Sequence, residues 1–153
     1  MVSSFLYFWV VIQKINSILL VDDDPDDQLL FQEALSDADN SIQYTSASDG
    51  IHALEQLNTE GAVLPELIFM DVNMPRMNGL DCLKEIQKST KLKHIHVIMY
   101  STSCSVEYQK ECFANGAVDY IEKPNDFKTL CTRIAGVIRQ GILPAVNTIP
   151  PAL

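Results

Sequence analysis

The chain has 153 residues and a net charge of −9, from 20 acidic and 11 basic residues. This length fits one domain, and a hydrophobic share of 47% is too high for a disordered chain. The acidic balance argues against nucleic-acid binding, because proteins of that class normally present a basic face. The 4 cysteines form no C-x-x-C pair, which favours buried thiols in a reducing compartment and predicts a cytoplasmic protein.

The N-terminal segment contains an uninterrupted apolar run, FLYFWVVI, over residues 5–12. A membrane-spanning helix needs about 20 such residues, so we expect no membrane span. The first basic residue, Lys14, follows the run instead of preceding it, and this order does not favour a secretory signal. The run indicates either a translation start placed too early or an extension, residues 1–16, that packs on the domain or on a second copy of the chain.

From residue 17 onward, short apolar runs alternate with helical patterns. The runs predict five strands, at residues 18–21, 42–47, 67–70, 95–100 and 119–122. The first helix is predicted to begin at Pro25 or Asp26, with Leu29, Leu30, Ala34 and Leu35 at helical spacing. Five strand–helix units predict an α/β domain over residues 17–140 with a parallel sheet and helices on both faces, followed by a tail at 141–153.

Polar residues stand where the predicted strands end. Asp22 and Asp23 follow the first strand, Asp71 follows the third, Ser101 follows the fourth, and Lys123 follows the fifth. In open parallel sheets, ligands bind beyond the carboxyl ends of the strands. We therefore expect these five side chains to meet at one edge of the sheet.

The residue types at this edge predict phosphoryl chemistry. Three carboxylates in one pocket repel each other, and a hard divalent cation with oxygen ligands relieves that repulsion. Mg²⁺ suits such a site because it accepts one or two carboxylates and keeps waters and phosphate oxygens for the rest, with Mn²⁺ as an alternative. A lysine and a small hydroxyl beside a carboxylate complete a site where the carboxylate attacks and the charges stabilise the transferring oxygens.

Four motifs in this order resemble the receiver domains of two-component response regulators. They are VDD at residues 21–23, MDVNMPRMNG at 70–79, ST at 101–102 and YIEKP at 120–124. The resemblance covers about residues 17–140 and implies a flavodoxin-like (βα)5 doubly wound fold with a five-stranded parallel sheet of order 2-1-3-4-5. The extended acidic cluster resembles stand-alone, single-domain regulators found beside bacterial phytochromes and other hybrid histidine kinases.

The resemblance implies a metal-dependent phosphoacceptor. Asp71 would accept the phosphoryl group, and Asp22, Asp23, Asp71 and the backbone carbonyl of Asn73 would bind the metal. The donor would be a histidine kinase or a histidine phosphotransfer protein. We expect a signalling protein whose only catalytic activity is slow self-dephosphorylation, and therefore not an enzyme in the usual sense.

The resemblance also assigns the residues around the phosphoryl group. Ser101, Thr102 and Lys123 would contact it, and Ser101 and Tyr120 would form a switch. The Lys123–Pro124 peptide bond is expected to be cis, since X–Pro bonds can adopt that isomer.

Output is expected through protein contacts, because residues 141–153 are too few for a DNA-binding unit. The expected surface comprises the helix at 105–115, the strand at Tyr120 and the helix at 126–140. The sequence identifies neither the kinase, nor the input signal, nor the target.

Two other functions fit parts of the pattern. A pseudo-receiver would use the same fold as a binding module without phosphorylation, but the intact set of aspartates, hydroxyl and lysine argues against it. A flavin or nucleotide binder would need glycines or hydroxyls after the first strand. Residues 22–27 instead contain five aspartates, which would repel phosphate.

Overall fold

The computed structural model describes residues 14–102 and 104–141. The extension predicted at 1–16 and the tail predicted at 141–153 lie outside this range, except for residues 14–16 and 141. The strands are β1 (Ser17–Val21), β2 (Gln43–Ala47), β3 (Leu67–Met70), β4 (His96–Ser101) and β5 (Asp119–Glu122). The helices are α1 (Pro25–Ala38), α2 (Gly50–Asn58), α3 (Gly79–Lys88), α4 (Val106–Ala114) and α5 (Phe127–Gln140).

The five strands form one parallel sheet of order β2-β1-β3-β4-β5, which confirms the predicted fold. The apolar run LLV of β1 and the run LIFM of β3 are fully buried, as expected for central strands covered on both faces. β2 alternates exposed and partly buried residues because it lies at the sheet edge. Predicted and observed strand boundaries differ by one residue at most.

Two apolar layers lie on opposite faces of the sheet. Leu19 and Val21 of β1 belong to the layer that contains buried residues of α2 and α3. Ile18 and Leu20 point the other way, into the layer that contains buried residues of α1 and α5. Ile15, which the sequence placed in the N-terminal extension, is 1% exposed and packs in this second layer. Ile15, two residues before β1, therefore contributes to the core.

The first helix buries Ala34 and Leu35 as predicted, but it buries Phe31 instead of Leu29 and Leu30. Leu29 and Leu30 are 56% and 42% exposed, whereas Phe31 is fully buried. The Phe31 ring lies 4.8 Å from the ring of Phe69 and 5.7 Å from the ring of Tyr100. Phe31, Ala34 and Leu35 lie on one helical face at i, i+3 and i+4 spacing, so this face packs on the sheet and the two leucines point away from it.

Each helix begins at a polar side chain that accepts a hydrogen bond from the backbone of its first turn. These capping residues are Asp24, Asp49, Asn78, Ser105 and Asp126. All five caps lie between a strand's carboxyl end and the following helix, so they fix the loops that carry the polar residues. Within residues 14–102 and 104–141, no helix has the length and apolar content that crossing a bilayer requires.

Candidate functional site

Two buried carboxylates are fixed side by side at the carboxyl edge of the sheet. The backbone N–H of Asp22 donates to the carbonyl of Ala47 at 3.0 Å, and that of Asp71 donates to the carbonyl of Val21 at 2.8 Å. These bonds extend the strand ladders by one residue beyond β1 and β3. Asp22 is completely buried and Asp71 is 6% exposed. The sheet register therefore determines where both carboxylates lie.

A third carboxylate completes an oxygen-rich group. Carboxylate oxygens of Asp22, Asp23 and Asp71 all lie within 4.8 Å of one another. The backbone N–H of Asn73 donates to the Asp71 carboxylate at 3.4 Å, and Asn73 itself is exposed. Carboxylate oxygens are the ligands that hard divalent cations such as Mg²⁺ and Mn²⁺ prefer, so this group fits such an ion.

The ammonium of Lys123 is shared among three carboxylates. Its Nζ donates to Asp22 at 2.7 Å, to Asp27 at 2.9 Å and to Asp71 at 3.2 Å, and the side chain is 10% exposed. Burial would lower the pKa of Lys123, but the hydrogen bonds to Asp22 and Asp27 raise it above its ordinary value. The ammonium therefore keeps its charge at neutral pH. The Lys123 backbone N–H also donates to the carbonyl of Ser101 at 2.7 Å, which links β5 to the end of β4.

Lys123 does not fully offset the effect of burial on the Asp22 carboxylate. Burial raises the pKa of Asp22 to about 6, although the Lys123 ammonium and the Asp24 backbone N–H both act to lower it. The charge of Asp71 adds to the increase. Burial therefore disfavours the ionised form of Asp22 more than Lys123 favours it. A divalent cation bound beside Asp22 would favour that ionised form.

The hydroxyl of Ser101 is buried without a hydrogen-bond partner in the described part of the chain. Ser101 is 1% exposed at the end of β4, and its Oγ is the buried side-chain polar atom left unpaired there. A buried hydroxyl normally has a partner, so an unpaired one fits a group that binds later. Thr102, the next residue, is exposed.

Tyr120 lies half-buried on β5 and is engaged by a cysteine. The Cys104 thiol donates to the Tyr120 hydroxyl at 2.9 Å. Burial, together with Cys104, raises the pKa of Tyr120, so the phenol stays protonated. This thiol contact was not predicted, because Cys104 and Tyr120 are separated by 16 residues and no sequence pattern relates them.

The prediction of a cis peptide bond between Lys123 and Pro124 is wrong. No cis bond occurs among the described residues, so the bond between Lys123 and Pro124 is trans. The trans isomer of an X–Pro bond is favoured by about 0.5–1 kcal/mol. In this isomer Lys123 already contacts its three carboxylates, so no cis bond is needed to direct the side chain into the pocket.

Gly79 lies against the backbone of Asp71. A Cβ atom at position 79 would lie 2.1 Å from the Asp71 carbonyl oxygen, far inside van der Waals contact. The Gly79 N–H donates to the carbonyl of Val72 at 2.9 Å, closing the loop after β3. In the sequence, Gly79 was noted only as the last residue of the motif at 70–79. Its closeness to Asp71 follows from the tertiary packing of this loop.

An ion pair joins the same loop to α2. Arg76 donates to the Asp49 carboxylate through Nε at 2.8 Å and through Nη2 at 3.0 Å. Arg76 has a φ of 65°, an uncommon left-handed conformation for a side-chain-bearing residue. Asp49 is 5% exposed and also caps α2. This pair was not predicted, because the two residues are 27 positions apart.

Comparisons with known proteins point to one family. A family model described as the response regulator receiver domain matches residues 18–135. The two-component response regulator ORR3 of Oryza sativa subsp. indica is 32% identical over 120 residues, covering 76% of this chain and 88% of the relative.

Two solved response regulator structures are similar over nearly their whole length. The phosphorylated cyanobacterial phytochrome response regulator RcpA has a TM-score of 0.77 and 29% identity, covering 86% of this chain and 99% of that chain. The Mn²⁺-bound form of response regulator Rcp1 has a TM-score of 0.75 and 28% identity, covering 85% of this chain and 99% of that chain. From its motifs, its fold and these matches, the chain belongs to the response regulator receiver domain family of two-component systems.

Proposed function

We propose that this receiver domain accepts a phosphoryl group on Asp71 from a histidine kinase or a histidine phosphotransfer protein. The observation that carries the proposal is the shared lysine: one buried ammonium contacts both Asp22 and Asp71 at the edge where the carboxylates gather. The proposed receiver unit spans residues 17–140. Residues 141–153 are proposed to lie outside it, as are residues 1–16 except for Ile15, which packs in its core.

The chemistry is a transfer between two nucleophiles. An oxygen of the Asp71 carboxylate attacks the phosphorus, an O–P bond forms, and the N–P bond to the donor histidine breaks and returns its electron pair to the imidazole. Lys123 compensates negative charge on the phosphoryl oxygens. The buried Ser101 hydroxyl donates to one of these oxygens, which gives it the partner it otherwise lacks. The neighbouring Thr102 contributes at the exposed side of the same group.

Asp22, Asp23, Asp71 and the backbone carbonyl of Asn73 would hold Mg²⁺ or Mn²⁺. The bound cation would supply positive charge next to the transferring oxygens, which the lysine alone does not provide. The raised pKa of Asp22, caused mainly by burial, is compatible with this assignment, because a cation beside the carboxylate would favour its ionised form.

The signal is proposed to pass from Ser101 to Tyr120. When the Ser101 hydroxyl binds a phosphoryl oxygen, the end of β4 shifts, and the Tyr120 ring moves inward from its half-buried position beside Cys104. Output then follows through contact with another protein. Val106 and Phe113 on α4 and Val118 before β5 are large exposed apolar residues on the surface expected to change.

The test is phosphorylation by a small donor. The purified protein is incubated with acetyl phosphate and Mg²⁺, and its intact mass is measured over time beside an Asp71→Asn sample. We expect the mass of one phosphoryl group to be gained by the wild type, and not by the variant or in excess EDTA.

The competing function is a pseudo-receiver that binds its partner without phosphorylation. A folded protein that gains no mass with acetyl phosphate, phosphoramidate or a panel of phosphorylated histidine phosphotransfer proteins would favour that alternative. Gain of mass in the Asp71→Asn variant at the wild-type rate would instead refute Asp71 as the acceptor.

A further inference from the structure

We propose that Asp27 is a positioning residue for phosphoryl transfer. It holds the Lys123 ammonium in place while Asp22 and Asp71, the other two carboxylates that contact this lysine, bind the cation and the phosphoryl group. The inference rests on the proposed phosphoryl-acceptor function and extends it to a residue outside the four motifs. Asp27 was predicted only as one of several acids at the start of α1.

The three contacts of Lys123 match its three donors. An ammonium has three N–H groups in a tetrahedral arrangement, and each faces one carboxylate: Asp22 at 2.7 Å, Asp27 at 2.9 Å and Asp71 at 3.2 Å. Fixing the direction of two N–H groups fixes the third. With Asp22 and Asp27 holding two of them, the third is directed at the acceptor carboxylate.

Phosphorylation changes two of these three partners. The Asp71 carboxylate becomes an acyl phosphate, and Asp22 belongs to the group of carboxylates suited to hold the divalent cation. The carboxylates that fit the cation are those of Asp22, Asp23 and Asp71. Asp27, by contrast, approaches Lys123 from α1, and its side chain is 35% exposed. Asp27 is therefore the partner that keeps its full charge for the lysine throughout the reaction.

Lys123 has space into which it could turn. A recess of about 80 Å³ lies beside it, lined in part by Asp27, Leu30, Tyr100 and Phe127. The flexible four-carbon side chain of lysine can rotate into such a space. The Tyr100 ring, 5.3 Å from Nζ, attracts the ammonium only weakly, so the carboxylates that contact the lysine, Asp27 among them, oppose this rotation.

The local structure holds Asp27 firmly. It lies in the first turn of α1, which Asp24 caps and Pro25 begins. The next residue, Gln28, donates through its side-chain amide to the carbonyl of Asp22 at 2.6 Å. This bond ties the helix turn that carries Asp27 to the end of β1, so the backbone of Asp27 has a fixed position relative to the acceptor pocket.

The test compares Asp27→Ala and Asp27→Asn with Asp26→Ala. Asp26 lies in the same turn and carries the same charge, but it is exposed and its side chain does not contact the lysine. Phosphorylation rates are measured over a range of acetyl phosphate concentrations with saturating Mg²⁺. We expect the maximal rate of Asp27→Ala to fall about tenfold, as for a displaced reacting group, without weaker donor binding. Asp27→Asn keeps one acceptor oxygen, so its maximal phosphorylation rate should lie between those of Asp27→Ala and the wild type.

A second readout follows the lysine itself. The ¹⁵N signal of the Lys123 ammonium is recorded with Mg²⁺ present, and proton exchange with water should be faster in Asp27→Ala than in Asp26→Ala. Equal maximal rates in Asp27→Ala and Asp26→Ala would overturn the positioning role. If the wild type takes no phosphoryl group, the proposed function fails. The Lys123 signal still tests the contact between Asp27 and Lys123, because unchanged proton exchange in Asp27→Ala would overturn its holding role.

Discussion

Replacing Asp71 with asparagine is expected to stabilise the metal-free protein. The variant keeps the size of the side chain and removes one negative charge from a group of three carboxylates, two of which are buried. At separations of 4.8 Å or less, Asp22 and Asp23 each repel the charge of Asp71 by about 3 kcal/mol with an effective dielectric constant of about 20. Lys123, at 3.2 Å, attracts it by about 5 kcal/mol. The balance is unfavourable for the native charge by about 1–2 kcal/mol.

The assay is urea denaturation of both proteins in EDTA, followed by circular dichroism. We expect the free energy of unfolding to be about 1–2 kcal/mol higher for Asp71→Asn, with the melting temperature higher by a few degrees. A control variant, Asp37→Asn, removes an exposed charge from α1 and should change stability by less than about 0.5 kcal/mol.

Adding Mg²⁺ should reverse the order of the two proteins. A ligand at about 100 times its dissociation constant stabilises the native state by about 2.7 kcal/mol. The wild type should gain this stability, and the variant should gain less because it lacks one carboxylate. An Asp71→Asn variant that is equally or less stable than the wild type in EDTA would refute the charge balance described above.

Two further predictions concern the loop after β3. Gly79→Ala should destabilise the protein by about 3 kcal/mol, because its Cβ would overlap the Asp71 carbonyl. Gly136→Ala on α5 is the control: its Cβ would meet no atom within 4 Å, so the substitution should stabilise the protein by about 0.5–1 kcal/mol. Urea midpoints check both, and equal effects would contradict the close approach. Arg76→Ala should cost about 1 kcal/mol at neutral pH, since the arginine is half exposed. Burial alone would raise the pKa of Asp49, but the His52 backbone N–H and Arg76 together lower it. The contribution of the ion pair to stability is therefore present at neutral pH, and it is lost as the pH falls below the ordinary carboxyl pKa of 3.8. The gap between wild type and Arg76→Ala should therefore close in acid, and a gap that persists there would contradict the ion pair.

The fold was predictable because its signals are local. The apolar runs LLV and LIFM mark central strands, and polar residues with cap chemistry mark the helix starts at Asp24 and Asp126. The closeness of Asp22, Asp71 and Lys123 was also predictable, since residues that follow parallel strands meet at one edge of the sheet.

The contacts that the sequence did not predict depend on tertiary packing. Asp27 meets Lys123 across 96 positions, and nothing in the acidic cluster distinguishes it from its neighbour Asp26. The burial of Phe31 in preference to Leu29 depends on the aromatic rings of Phe69 and Tyr100, which belong to other strands. Helical spacing alone allows several stripes, and packing against the sheet selects one of them.

The central claim is that Asp71 becomes an acyl phosphate, and chemical trapping tests it most directly. Borohydride reduces an aspartyl phosphate to homoserine, so the protein is treated with acetyl phosphate and Mg²⁺, reduced, digested and sequenced by mass spectrometry. We predict homoserine at position 71 only in samples that received both acetyl phosphate and Mg²⁺. Aspartate at position 71 in every sample, or homoserine at Asp22 or Asp23 instead, would contradict the account.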